Sequence, residues 1–372
     1  KSKKTVKKNT TFYETNSDYH NDSYYSEHGN LIHFNKKTNV KRSIISFYDD
    51  IYNVQEYDEI VYFQVKLGLY KYCKKTSEIK QIIEFSKQKD VAKKILSKME
   101  EEELALFQFH TDQQESSNWI DSEITFKKKA KTIYYSKGSI SNVQGTYDEK
   151  FILFRTNEYP EEKNTHVEHY ISKDGYSYLK NARSKVSDQD PNHKLGVYNT
   201  ISDSVYYIDF SSLKNIRKKP EYLKNYNIEG EYETNRNLIM HKIQFSTDGK
   251  ENVIDIRSYD NKDRWIVSID FETGKIETLE YQHDEAWIGG PGISSWNMAQ
   301  GTLGWLTDNE TIYFQSEETG YSHLYKYHIT SKKKKALTSG EWEVHDVKLS
   351  KYGSKFYIHA NKTHPGNRNF YH

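Results

Sequence analysis

A short polar turn followed by a strand of alternating aromatic and β-branched residues recurs along this chain. It appears as Tyr57-Asp58-Glu59 before Ile60-Val61-Tyr62-Phe63, and as Tyr147-Asp148-Glu149-Lys150 before Phe151-Ile152-Leu153-Phe154. It returns at Asp203 before Val205-Tyr206-Tyr207-Ile208, and at Asp248-Gly249 before Val253-Ile254-Asp255-Ile256. Two further copies are Asp308 before Ile312-Tyr313-Phe314, and Gly353 before Phe356-Tyr357-Ile358. Short strands bounded by turn residues, with side chains changing face at every step, predict an antiparallel all-β chain. From Asp58 to Gly353 the copies are separated by 90, 55, 45, 60 and 45 residues. Propeller blades repeat at about 40 to 50 residues, because a four-stranded blade cannot cover both its faces and must stack on neighbours.

The second half of the unit repeats too. Leu69-Tyr70-Lys71-Tyr72 recurs letter for letter as Leu324-Tyr325-Lys326-Tyr327, and Arg264-Trp265-Ile266-Val267-Ser268-Ile269 occupies the matching place. Each precedes a turn, as at Phe271-Glu272-Thr273-Gly274-Lys275, and then another short strand. Strand, loop, strand, turn, strand is the meander of one blade. A β-sandwich also has short strands and turns, but it does not require matching segments at a near-constant period. The expectation is about six blades of an eight-bladed β-propeller.

The 90-residue interval calls for an insertion. Between Ser86 and Phe107 the composition shifts to Lys and Glu, and Val91, Ile95 and Met99 fall four apart. That spacing predicts an amphipathic helix projecting from one blade. The Lys-rich first dozen residues read as disordered or as a severed strand.

Composition narrows the functional classes. The 372 residues hold 54 Lys and Arg against 53 Asp and Glu, a net charge of +1, which argues against a nucleic-acid or polybasic membrane-surface binder. No apolar run approaches the roughly 18 residues of a membrane-spanning helix. Aromatics reach 15%, so the low hydrophobic content of 35% does not mean disorder. The sole cysteine, Cys73, forms no intramolecular disulfide and is expected to be a buried, inert thiol. The chain opens on Lys1 rather than Met, so an upstream segment is expected.

From about Asn181 onward the sequence resembles the N-terminal propeller of bacterial serine exopeptidases of the dipeptidyl peptidase IV and prolyl oligopeptidase type. The carrying segments include Asn181-Ala182-Arg183-Ser184-Lys185-Val186, Tyr259 to Ile266, Asp284-Glu285-Ala286-Trp287-Ile288-Gly289-Gly290-Pro291-Gly292 and Phe314 to Tyr325. Ala336-Leu337-Thr338-Ser339-Gly340 and His364-Pro365-Gly366 complete them. The resemblance implies a propeller set as a lid over an α/β-hydrolase domain, filtering peptide substrates by size and recognising their N-terminus. It also implies a periplasmic or secreted protein and a homodimeric full-length enzyme. The G-x-S-x-G elbow of the hydrolase nucleophile is absent. The chain is therefore expected to be a fragment truncated at both ends, lacking the catalytic domain and inactive alone as a peptidase. An incomplete ring would also expose blade faces and favour association. The alternative is a free-standing propeller that binds a protein or peptide without catalysis.

Two loops supply the candidate substrate-binding residues, and no catalytic residue is assigned. Asp284, Glu285 and Trp287 place carboxylates beside an aromatic, a combination suited to a substrate ammonium. The plainer reading packs Trp287 between blades. Glu317, Glu318, Tyr321 and His323 lie in a loop between two strands of one blade, which either faces the substrate cavity or caps the blade. Glu161-Glu162 after Pro160 is a weaker amine candidate. His166 and His169 have metal-like spacing, but Thr165, Val167 and Tyr170 suggest extended backbone, so no metal is expected. Lys332 to Lys335 read as a solvated turn. No nucleotide or other cofactor motif appears.

Overall fold

The computed structural model describes residues 22–87, 130–161, 165–182, 190–293 and 300–372, and within them strands joined by tight turns predominate. Among these residues six sheets, antiparallel except for one added strand, follow one another as blades. Blade 1 holds β1 (Asp22–Glu27), β2 (Asn30–Asn35) and β3 (Val40–Ser46). Blade 2 holds β4 (Ile51–Glu56), β5 (Ile60–Val65), β6 (Gly68–Cys73) and β7 (Ile79–Lys87), with β8 (Lys131–Tyr135) added parallel to β7. Blade 3 holds β9 (Ser139–Gly145) and β10 (Phe151–Glu158); a hairpin, β11 (His166–His169) with β12 (Tyr178–Asn181), then intervenes before β13 (Asn192–Asn199) and β14 (Ser204–Tyr207).

In blade 4, β15 (Leu238–Met240) and β16 (Gln244–Phe245) both pair with β17 (Asn252–Ser258), followed by β18 (Asp263–Asp270) and β19 (Lys275–His283). Blade 5 is β20 (Leu303–Trp305), β21 (Thr311–Ser316), β22 (His323–His328) and β23 (Lys333–Ala336). Blade 6 is β24 (Val344–Leu349), β25 (Phe356–Ala360) and β26 (Asn369–Tyr371). The architecture is that of a β-propeller.

Period-two alternation explains how the blades stack. In β5, Val61 and Phe63 join Tyr24 and Leu31 of blade 1, whereas Ile60 and Tyr62 join Ile152 and Phe154 of blade 3. In β17, Ile254 and Ile256 face the blade 3 residues Leu153 and Val197, while Val253 joins Ile312 and Phe314 of blade 5. Every residue of β5 and β17 is therefore buried, and each large apolar side chain contributes about 1.5–3 kcal/mol. Glycine makes room for two of the buried rings. A Cβ on Gly145 would lie 2.3 Å from the Tyr62 ring, and one on Gly196 would lie 2.3 Å from Phe154, its cross-strand partner.

Several expectations need correction. The Asp203 turn joins β13 to β14, the outer pair of blade 3, rather than the inner pair joined by the Asp58, Asp148, Asp248 and Asp308 turns. The actual interval from Asp148 to Asp248 is lengthened by the β11–β12 hairpin and by residues 208–237, which include a 3₁₀ turn, Glu221–Tyr226. Ser86 and Lys87 belong to β7, and the rest of the expected helical insertion lies outside the described residues, as do the first dozen residues. Cys73 is half-exposed, and hydrogen bonding by Thr76 lowers its thiol below the ordinary value. Lys333 to Lys335 form strand β23, not a solvated turn; only Lys332 sits in the turn, at φ +54°.

Candidate substrate-facing loops

The connection that follows β19 and the loop between β21 and β22 emerge at the same end of blades 4 and 5. Asp284 starts the first. Its Oδ1 accepts the amides of Ala286 (2.6 Å) and Trp287 (3.0 Å), a local turn that a short carboxylate side chain closes by itself. Glu285 points back onto its own blade. Its Oε1 accepts from Lys218 Nζ (3.0 Å) and lies 2.9 Å from His283 Nε2, while Oε2 accepts the amide of Glu221 (3.0 Å). Burial alone would raise this carboxyl, but the Glu221 amide, His283 and Lys218 outweigh it and bring it down to about 2. Glu285 is thus committed to the segment that carries Lys218 and the 3₁₀ turn.

Trp287 is 56% exposed, so it does not pack between blades. Its indole lies over Gly289, where a Cβ would meet Nε1 at 2.3 Å. Here the two loops meet. Gly289 donates its amide to Glu317 Oε2 (3.2 Å), and a Cβ on Gly290 would fall 2.1 Å from Glu317 Oε1. Glycine at both positions lets the backbone reach the carboxylate. Burial raises the Glu317 carboxyl; the amides of Gly290 and Gly289 oppose that, while Glu343 and Asp284 add negative charge that favours it. The product is a half-buried carboxylate in an acidic surround, which a cation would stabilise.

The other residues of the second loop divide. Glu318 pairs with Lys334, which also pairs with Glu280 (2.6 Å) and lies 4.9 Å from the Tyr325 ring centre. Tyr321 is half-buried at the end of the loop. His323 is 1% exposed and sits inside blade 5, with Nδ1 3.0 Å from Thr338 Oγ1 and Nε2 donating to the Gly340 carbonyl (2.9 Å). Trp342 stands edge-on to it, with ring centres 5.0 Å apart. His323 therefore positions the loop and does not face solvent.

Beneath the loops lies a buried polar layer that motif reading missed. Gln315 Nε2 donates to the carbonyls of Pro291 (3.1 Å) and Val344 (2.7 Å), linking the first loop, blade 5 and blade 6. Asp263, almost fully buried, lies 2.7 Å from His283 Nδ1, accepts from Tyr281 Oη (2.7 Å) and pairs with Arg236 (2.6 Å). The partners in this second network are 18 to 27 residues apart in sequence, so no local signal reveals it.

The remaining candidates lie in the connection between β10 and β13 of blade 3, which leaves the blades at this same end, but no hydrogen bond or ion pair among the described residues joins them to Glu317. His166 and His169 occupy strand β11, in keeping with the extended reading, and His169 lies 4.9 Å from the Tyr178 ring. Glu161 is exposed, and Glu162 lies outside the described residues. Among the described residues no three His, Cys, Asp or Glu side chains gather to hold a metal. No helix among them is long and apolar enough to cross a membrane.

The profile of the dipeptidyl peptidase IV N-terminal region matches residues 114–372. No curated protein matches the chain by sequence. Among solved structures, dipeptidyl peptidase 4 of Porphyromonas gingivalis superposes with a TM-score of 0.53 at 11% identity, over 94% of this chain and 40% of that one. A candidate dipeptidyl aminopeptidase IV from Bacteroides ovatus gives 0.43 at 12% identity, over 91% of this chain and 49% of that one. The first likeness is one of fold, and this chain spans less than half the length of either structure. With more than half of its residues matched, the chain belongs to the dipeptidyl peptidase IV N-terminal region family, the β-propeller associated with serine peptidases.

Proposed function

We propose that this propeller gates access for short peptides and holds their N-terminal ammonium on behalf of a serine exopeptidase. Hydrolysis belongs to an α/β-hydrolase domain of the longer protein. The observation that carries the reading is Glu317, a half-buried carboxylate raised by its surroundings and held between two loops beside Asp284 and Glu343. A substrate ammonium placed there gains charge-assisted hydrogen bonds and relieves the repulsion among the carboxylates. Trp287 offers an exposed aromatic face at the same loop. The family match supports a peptidase setting and a periplasmic or secreted location.

The test uses the full-length protein and dipeptidyl-anilide substrates with free or acetylated N-termini. Glu317→Gln should raise KM about tenfold for the free amine, with kcat largely retained and little effect on the acetylated substrate. Equal kinetics for the two substrates, or an unchanged KM in the variant, would sink this role for Glu317.

A further inference from the structure

The turns that join the inner strands of blades 2, 3 and 4 converge on a cavity of about 250 Å3. This cavity lies at the opposite end of the blades from the Glu317 loop. Strand β21 runs from the turn at 306–310 to the loop at 317–322, and the blade 4 turn is tied to that first turn by Thr247 N donating to Asn309 Oδ1 (2.9 Å). Tyr57 and Tyr147 supply the aromatic part of the lining, and Asp58, Glu59, Glu149 and Asp248 supply carboxylates.

The lining is held in place before any ligand arrives. Gly249, at φ +77°, lets the blade 4 turn close on the two tyrosines; a Cβ there would lie 2.7 Å from Tyr147 Cβ and 2.9 Å from the Tyr57 ring. Tyr57 Oη donates to the Gly145 carbonyl (2.9 Å), and its ring stands edge-on to Tyr62 and Phe245. Asp248 Oδ1 accepts from Ser246 Oγ (2.7 Å) and from the amide of Lys250 (3.2 Å). Preorganised walls lower the ordering cost of binding.

The charge in the cavity is only partly compensated. Glu149 pairs with Lys71, and Asp248 lies 3.6 Å from Lys250. Asp58 and Glu59 make no ion pair among the described residues and are exposed at the rim. Negative charge beside aromatic side chains favours a cation that has an apolar body and a weakly hydrated head. We propose that this cavity binds an organic cation, the ammonium or guanidinium group of a small amine or of a basic peptide side chain. It is a second cation site, at the other end of the blades, and does not depend on the role given to Glu317.

Calorimetric titration of the chain with agmatine at low salt is the test. Saturable binding of one agmatine per chain is expected, weakened at least about tenfold by combined Asp58→Asn and Glu59→Gln, and a few-fold by Tyr147→Leu. Glu317→Gln should leave it unchanged, which separates failure of this site from failure of the N-terminus reading. If the double variant melts early, Asp58→Lys at the exposed rim decides instead and should abolish binding. N-acetyl-arginine amide binding more tightly than agmatine would identify a peptide side chain as the source, and the reverse order a free amine. Lack of saturation, displacement by equal sodium chloride, or unchanged affinity in the rim variants would overturn the proposal.

Discussion

Arg264 and Asp255 form a two-pronged ion pair with no exposure to solvent, Nε to Oδ1 at 3.1 Å and Nη2 to Oδ2 at 2.7 Å. The remaining Nη1 donates to the Gln315 carbonyl (2.7 Å), so one guanidinium fastens β17 and β18 of blade 4 to β21 of blade 5. Gln315 in turn reaches Pro291 and Val344. The loop that presents Glu317 therefore rests on a charge pair buried one layer below.

Breaking that pair should be costly. Arg264→Met leaves Asp255 buried without its cation, and the expected loss is about 3–5 kcal/mol in denaturant unfolding. Replacing both residues by apolar ones of similar volume should recover most of it, since neither charge then needs a partner. If Arg264→Met changed stability by less than about 1 kcal/mol, the pair would not be the fastening described.

The contact of Gly196 with Phe154 predicts a coupled response. Gly196→Ala drives a methyl into the ring and should cost about 1–3 kcal/mol. Phe154→Leu removes the obstructing ring edge, so the double variant should be more stable than the two separate losses would add up to. A double-mutant cycle of unfolding midpoints measures that coupling, and strict additivity would contradict it.

Glu285 predicts the response of its segment to acid. Its folded value, about 2, lies below the ordinary 4.5. The stabilisation is therefore fully present above pH 4.5 and is lost as pH falls toward 2. Glu285→Gln should melt earlier than the parent chain at neutral pH, with the two melting temperatures converging near pH 2. A constant difference across that range would show that the charge on Glu285 is not what holds the Lys218 segment.

Much of the blade architecture was legible in local pattern. The Leu-Tyr-Lys-Tyr copies fall on equivalent strands, β6 and β22, with Arg264 to Ile269 on β18 between them. Side chains alternate strictly along a strand, so burial on two faces leaves a readable trace of apolar and aromatic residues. The Asp203 turn shows where this fails, because an outer hairpin and an inner one use the same turn chemistry. The site was read less well. Glu317 and Asp284 were visible as acidic loop residues, but nothing local distinguishes Glu317, pressed against Gly289 and Gly290, from Glu318, paired with Lys334.

By itself the sequence determined a propeller of repeated meanders, the turns that close them and two acidic loops near the blade ends. Charge parity and the aromatic excess also belong to that level, since they depend only on composition. Tertiary structure alone decided which carboxylates are taken up by partners within the fold. It sent His323 inward to Thr338 and Gly340, turned Glu285 back onto Lys218, and brought three distant turns together around Tyr57 and Tyr147. Whether a carboxylate is spent or available depends on partners tens of residues away, which local periodicity does not encode.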